Sequence, residues 1–227
     1  MKSYRFDHMS TISEENYLKT IFNLSGEQKK GVSTSSLAGH LATKASSVTD
    51  MVQKLADQNL VNYTKYRGVT LTAEGEDLAI KVVRKHRLWE FFLFRTLGFK
   101  WDEIHQVAEQ LEHIKSDLLI ERLDRFLNYP QNDPHGDPIP DEKGHFPEDT
   151  SEPMSHLNKG SAGIVVGVDD RSSSFLIYLD KSGIQLGSEI EISEMYEFDH
   201  SVDIKINGLK SVHLSSQAVQ NILIIKK

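Results

Sequence analysis

The stretch TSSLAGHLATKASSVTDMVQKLADQ, residues 34–58, followed by LVNYTKYRGVTLT, residues 60–72, decides how the front of this chain folds. Thr34 to about Ala42 carries Leu37, Ala38 and Leu41 at helical spacing, and Thr43–Lys44–Ala45 makes a three-residue connection. A second helix, capped by Ser46 or Ser47, runs to about Gln58. Its apolar residues Val48, Met51, Val52 and Leu55 recur at i, i+3, i+4 and i+7, which puts them on one face. Two short helices about a tight turn predict a helix-turn-helix. Leu60–Thr64 and Val69–Thr72 are β-rich and flank Lys65–Tyr66–Arg67–Gly68, so a hairpin bent at glycine follows directly. In that position a hairpin is the wing of a winged helix.

The outward face of the second helix offers Ser46, Ser47, Thr49, Asp50, Gln53 and Lys54, short hydrogen-bonding groups suited to base edges in a major groove. Lys44 flanks them as a phosphate anchor, and Lys65, Tyr66 and Arg67 at the hairpin tip are placed to reach phosphates or the minor groove. Residues 28–67 hold six basic side chains against two acidic ones, although the whole chain carries −7. This local asymmetry, not the total, bears on nucleic acid. The same periodicity would also serve a small helical scaffold that docks on protein.

Working outward, Thr11 and Glu14 form a capping box for a helix over roughly 11–25, with Ile12, Leu18, Ile21 and Phe22 as its apolar positions. Thr72 caps a long helix from Ala73 to about Thr96, and Trp101 to about Asn128 reads as another. These two helices hold six potential metal ligands. His86 and Glu90 lie four apart and share a face. On one continuous helix His105, Glu109, Glu112 and His113 would point to about 0°, 40°, 340° and 80°. Such a stripe of imidazoles and carboxylates, with no Lys or Arg in it, repels itself unless a cation sits there, and a divalent metal is the natural one. The bland alternative is a solvated acidic face with incidental histidines. A di-iron centre needs Glu-x-x-His on two helices, whereas here Glu-x-x-Glu-His occurs on one. No Ser–His–Asp order, Gly-rich phosphate loop or His-Glu-x-x-His supports hydrolase, nucleotide or metalloprotease chemistry, so no enzyme is expected. The remaining histidines, His135 among them, point to nothing by themselves.

The 227 residues contain no cysteine, which excludes disulfides, zinc fingers and iron–sulfur clusters. No apolar run approaches a membrane span, and the N-terminus lacks a signal peptide's apolar core, so a soluble cytoplasmic protein without membrane contact is expected. All six prolines fall between Pro130 and Pro153, which reads as a tether. After it Gly160–Val168, Ser174–Asp180, Ser188–Ile192, Ser201–Ile206 and Ile222–Ile225 read as strands of a small β-barrel. The expected fold is mainly α with β. The expected divisions are a winged helix over 1–72, a helical domain over 73–129, a tether over 130–158 and a barrel over 159–227.

With these features in view, the chain resembles the diphtheria toxin repressor family of metal-dependent bacterial regulators, including its manganese-responsive members. The matching runs are Glu15–Ile21, Ser46–Leu55, Lys65–Gly68, Arg84–Leu88, Glu112–His113, Gly136–Pro140 and Gly187–Ile192, in family order across nearly the whole chain. The resemblance implies a winged helix, a dimerisation and metal-binding domain, and a barrel of SH3 or FeoA type. It implies a primary site of Glu109, Glu112 and His113 joined by Asn16 from the first helix. It implies a second site of His86, Glu90 and His105, completed in some members by a polar barrel residue, here Asp169 or Asp170. Family members carry Met or Asp at the Asn16 position. Two-domain manganese regulators carry Glu at the Lys19 position, where a protonated lysine cannot ligate. Glu109 stands where iron-responsive members often have Cys, which hardens the site toward Mn²⁺ or Fe²⁺. The function so implied is a homodimeric repressor of metal-uptake genes that binds a palindromic double-stranded operator when two ions, Mn²⁺ or alternatively Fe²⁺, fill each subunit. The competing expectations are a metal-binding protein whose winged helix contacts proteins, and a metal-independent regulator with a small-molecule pocket.

Overall fold

The structure is a computed structural model that describes residues 10–26, 29–64, 67–148, 150–170 and 172–227. It divides into two compact units. One gathers the chain up to Lys85 with residues 112–115 and 142–145, and the other holds 86–111, 116–141 and 146–227.

The first unit opens with α1 (Ile12–Ser25), α2 (Thr34–His40) and α3 (Ala45–Asp57), followed by β1 (Val61–Thr64) and β2 (Gly68–Leu71). The capping box is present: the Thr11 hydroxyl accepts from Glu14 N, and the Glu14 carboxylate accepts from Thr11 N at 2.7 Å. Val48, Val52 and Leu55 of α3 are fully buried with Leu18, Ile21 and Leu37 in one apolar core. Two expectations are corrected. The α3 N-cap is Lys44, whose carbonyl accepts from Val48 N, so Ser46 and Ser47 lie exposed in the first turn rather than capping it. Ile12, at the very start of α1, is 58 % exposed, and the buried residues of the helix begin at Glu14. The wing pairs Val61 with Leu71 through Thr64 with Gly68, and Val32 adds two backbone hydrogen bonds to Val69 at 2.8 Å. Gly68 has φ +87°, and a Cβ there would meet the Val32 carbonyl oxygen at 2.7 Å, so this bend requires glycine.

Helix α4 (Ala73–Arg95) starts where the Thr72 hydroxyl accepts from Gly75 N. The single helix expected from Trp101 to Asn128 is two, α5 (Ile104–Leu111) and α6 (Asp117–Phe126). Ser116 caps α6 by accepting from Leu119 N, and the chain between the helices carries Glu112 and His113 in a turn. The calculated stripe therefore does not extend to those two residues.

The proline-rich segment is also more than a tether. Asn132 bridges Pro138, Ile139 N donates to Gln131 O, and Asp133, His135 and Ile139 are buried. Gly136 (φ +94°) lies so close to Gly167 that a Cβ would fall 2.4 Å from the Gly167 Cα. This loop therefore lies directly on the sheet of the same unit. That sheet has six strands in the order β3-β8-β4-β5-β6-β7, every neighbouring pair antiparallel. The strands are β3 (Glu152–Pro153), β4 (Ala162–Val168), β5 (Glu189–Met195), β6 (Val202–Ile206), β7 (Lys210–Leu214) and β8 (Ile222–Lys226). Ser174–Asp180, expected as a strand, lies inside α7 (Ser173–Ser182), capped by Ser172 and ended by Gly183 in the left-handed region. A short apolar run does not distinguish strand from helix by itself, and here Leu176 and Leu179 are buried at i and i+3. A short helix, α8 (Ser216–Gln220), precedes β8.

Candidate metal centres

In the second unit, α4 presents His86 and Glu90 one turn apart and α5 presents His105. His86 Nε2 and His105 Nδ1 lie 2.9 and 3.1 Å from the same oxygen, Glu90 Oε1. The two rings meet edge to face at 5.0 Å. The other oxygen, Glu90 Oε2, lies 3.5 Å from His135 Nδ1. Glu90 is 2 % exposed. Burial alone would raise its pKa, but hydrogen bonds from His105, His135 and His86 hold it well below the ordinary carboxylate value. Glu109 stays near the surface, 3.5 Å from His105 Nε2.

Asp133 lies against this group. Its Oδ1 accepts from the backbone N of His135 and of Asp137 at 2.8 and 2.9 Å. Its Oδ2 is buried and accepts no hydrogen bond among the described residues; the Arg87 guanidinium is 3.9 Å away. Burial first, and then the charges of Asp137 and Glu90, push its pKa up to about 7. Two trios result, His86–Glu90–His105 and Glu90–Asp133–His135, each with its ligand atoms within 4.8 Å of one another. Imidazole nitrogens and carboxylate oxygens with an orphaned buried oxygen fit a hard or borderline divalent ion such as Mn²⁺ or Fe²⁺. The sequence reading missed Asp133 and His135. The available clue was the Asp-Pro-His turn, in which an aspartate side chain takes the backbone N–H two residues on. Asp169 and Asp170 are not in these trios: Asp169 N donates to Asn221 O, and Asp170 Oδ1 accepts from Ser172 N at the start of α7.

In the first unit, the turn after α5 brings Glu112 and His113 against α1. His113 Nδ1 lies 2.6 Å from Glu15 Oε2 and its Nε2 lies 3.6 Å from Glu112 Oε1. A carboxylate holding Nδ1 leaves Nε2 as the atom offered to an ion. Lys19 Nζ sits 2.7 Å from Glu112 Oε1 and 2.8 Å from Oε2. The residues of α1 that meet this pair are thus Glu15 and Lys19. Asn16 is half-buried, and its carbonyl accepts from the Thr20 hydroxyl at 2.7 Å.

On the outward face of α3 and at its N-cap, Lys44, Ser46, Ser47, Thr49, Asp50 and Lys54 are all exposed. Thr49 turns its hydroxyl back to Ala45 O, and Lys54 Nζ is 3.2 Å from Glu14 Oε1, so these two also serve the fold. Arg67 is exposed at the hairpin, while Lys65 and Tyr66 lie outside the described residues.

Three family profiles match successive parts of the chain. They are the iron dependent repressor N-terminal DNA binding domain over residues 9–69, the iron dependent repressor metal binding and dimerisation domain over 72–141, and the FeoA domain over 152–226. The HTH-type transcriptional regulator MntR of Bacillus subtilis is 38 % identical over 125 residues, 55 % of this chain and 87 % of that protein. The iron-dependent repressor IdeR of Mycobacterium leprae is 35 % identical over 128 residues, 56 % of this chain; the chain spans about half of that relative, 54 % of its length. A solved manganese-dependent transcriptional repressor in complex with manganese superposes with a TM-score of 0.78 at 36 % identity, covering 94 % of this chain and 100 % of that one.

Proposed function

The chain belongs to the iron- and manganese-dependent repressor family, and from that membership we propose that it is a cytoplasmic, metal-activated repressor that binds a palindromic operator as a homodimer. The observation that carries the metal dependence is the buried Glu90 ringed by three imidazoles, with Asp133 Oδ2 lacking a hydrogen-bond partner beside it. His86, Glu90 and His105, with Asp133 and His135, would hold one ion. Glu112 and His113, with Glu109 and Asn16 as the resemblance implies for the primary site, would hold the other. When bound, Mn²⁺ or Fe²⁺ would supply positive charge to the buried Glu90 and Asp133 carboxylates. The chain's own residues do the rest: Glu90 gathers α4 and α5, His135 ties in the loop after α6, and Glu15 orients His113.

Two features support a symmetric DNA reader. The polar residues of α3 lie exposed with Lys44 and Arg67 about them. The α6 region shows Leu118, Phe126 and Tyr129 more than half exposed, and Phe126 packs on Phe92 at 6.3 Å, an apolar face suited to a second copy. A two-fold dimer presents two recognition helices about one DNA turn apart. Among the described residues no helix is long and apolar enough to cross a membrane. The test is a gel-shift titration of palindromic DNA with and without Mn²⁺, using wild type and Arg67→Ala. Metal-dependent binding that weakens in the variant supports the proposal. Mn²⁺ uptake without any DNA shift would favour a metal-binding protein whose winged helix contacts protein.

A further inference from the structure

The Glu112–His113 turn already holds a cation of the chain's own. Glu112 is fully buried, and the Lys19 ammonium, 9 % exposed, donates to its Oε2 at 2.8 Å and lies 2.7 Å from its Oε1. Beside it Glu15 takes His113 Nδ1 at 2.6 Å, and Lys115 Nζ donates to Ser10 O at 2.8 Å. Three ties therefore run between the 112–115 turn and the stretch from Ser10 to Lys19, all made by protein groups. A divalent ion seeking the Glu112 carboxylate meets an ammonium on both of its oxygens and is repelled by it. The Glu90 cluster differs in that imidazoles of His86, His105 and His135 face the Glu90 oxygens at 2.9, 3.1 and 3.5 Å, and the Arg87 guanidinium stands off at 3.9 Å from Asp133 Oδ2.

We propose that Lys19 is a resident counter-cation: it fastens α1 to the Glu112–His113 turn without metal and lowers that site's affinity for a divalent ion, leaving the Glu90 cluster to bind first. This rests on the metal-binding reading above and refines it by ranking the two sites. Calorimetric titration of the full-length protein with Mn²⁺, in wild type, Glu90→Gln and Lys19→Met, tests it together with hydrogen exchange of α1 amides in metal-free protein. Wild type should show a tight class of sites, lost in Glu90→Gln, and a weak class that Glu90→Gln retains. Lys19→Met should keep the tight class and strengthen the weak one tenfold or more. Its metal-free α1 amides should exchange at least tenfold faster than wild type and regain protection with Mn²⁺. A weak class unchanged or weakened in Lys19→Met overturns the proposal. So does wild-type α1 that gains protection only when Mn²⁺ is added, a result that needs no variant to fold. If wild type took up no Mn²⁺ at all, the metal reading would fail, and metal-free exchange would still decide whether Lys19 fastens α1.

Discussion

Glu90 stays ionised at 2 % exposure because three imidazoles turn toward its two oxygens. Replacing it with glutamine keeps the shape and removes the charge, so Glu90→Gln should fold and lose at least about a hundredfold in Mn²⁺ affinity by calorimetry. Asp133 gives the opposite balance of stability and binding. Its folded pKa near 7 lies above the ordinary 3.8, so folding takes up a proton between those values. Stability therefore falls as pH rises through that window, and the loss is complete above pH 7. Asp133→Asn should then stabilise the metal-free protein at pH 8 by at least about 2 kcal/mol, have little effect near pH 4, and weaken Mn²⁺ binding. Thermal melts at the two pH values check the first part. Glu14 has the reverse sign: its pKa is lowered from 4.5 to about 2, so its stabilisation is present above pH 4.5 and is lost as pH falls toward 2. Glu14→Gln should flatten that acid limb, worth up to about 3 kcal/mol, in urea titrations. At this scale the sequence was partly legible. His86 and Glu90 declare themselves by helical spacing, whereas His135 and Asp133 reach Glu90 through a loop more than forty positions away. The resemblance pointed to Asn16 on α1, but the neighbouring Glu15 is the side chain that meets His113.

At the scale of elements, continuous hydrophobic and ligand periodicity concealed the break between α5 and α6. The deciding residue is Ser116, whose hydroxyl accepts from Leu119 N. Removing that cap with Ser116→Ala should cost about 1 kcal/mol, read from chemical denaturation. The winged helix was legible nearly residue by residue because α2, α3 and the hairpin are short, amphipathic and separated by turn residues. The proline-rich segment was misread for a related reason. Pro134 and Pro138 shape a tight loop around Asp133, and the burial of that loop depends on contact with Gly167 in β4, distant in sequence. Gly136→Val combines a disfavoured positive φ with a collision against Gly167. It should dislodge His135 and weaken Mn²⁺ binding more than it lowers secondary structure, which calorimetry and circular dichroism separate. The strand expected at Ser174–Asp180 became α7 because a Ser cap and a terminal Gly bracket the run.

At the scale of the molecule, a chain of net charge −7 can still read DNA because residues 28–67 hold six basic side chains against two acidic ones. Binding that depends on such groups weakens steeply with salt, so raising salt from about 50 to 200 mM should lower operator affinity by orders of magnitude. Arg67→Ala should reduce that slope by about one. The order of three parts was legible from the sequence, since each part has its own periodicity. Which side chains converge within them was not, since convergence is set by loops and long-range packing. The most direct measurement of the central claim is fluorescence anisotropy on a palindromic duplex selected from random DNA by the Mn²⁺-loaded protein, read with Mn²⁺ and with chelator at one ionic strength. Mn²⁺ should tighten binding by about tenfold to a hundredfold in wild type and leave Glu90→Gln unmoved. Equal affinity of wild type in the two conditions would contradict the account.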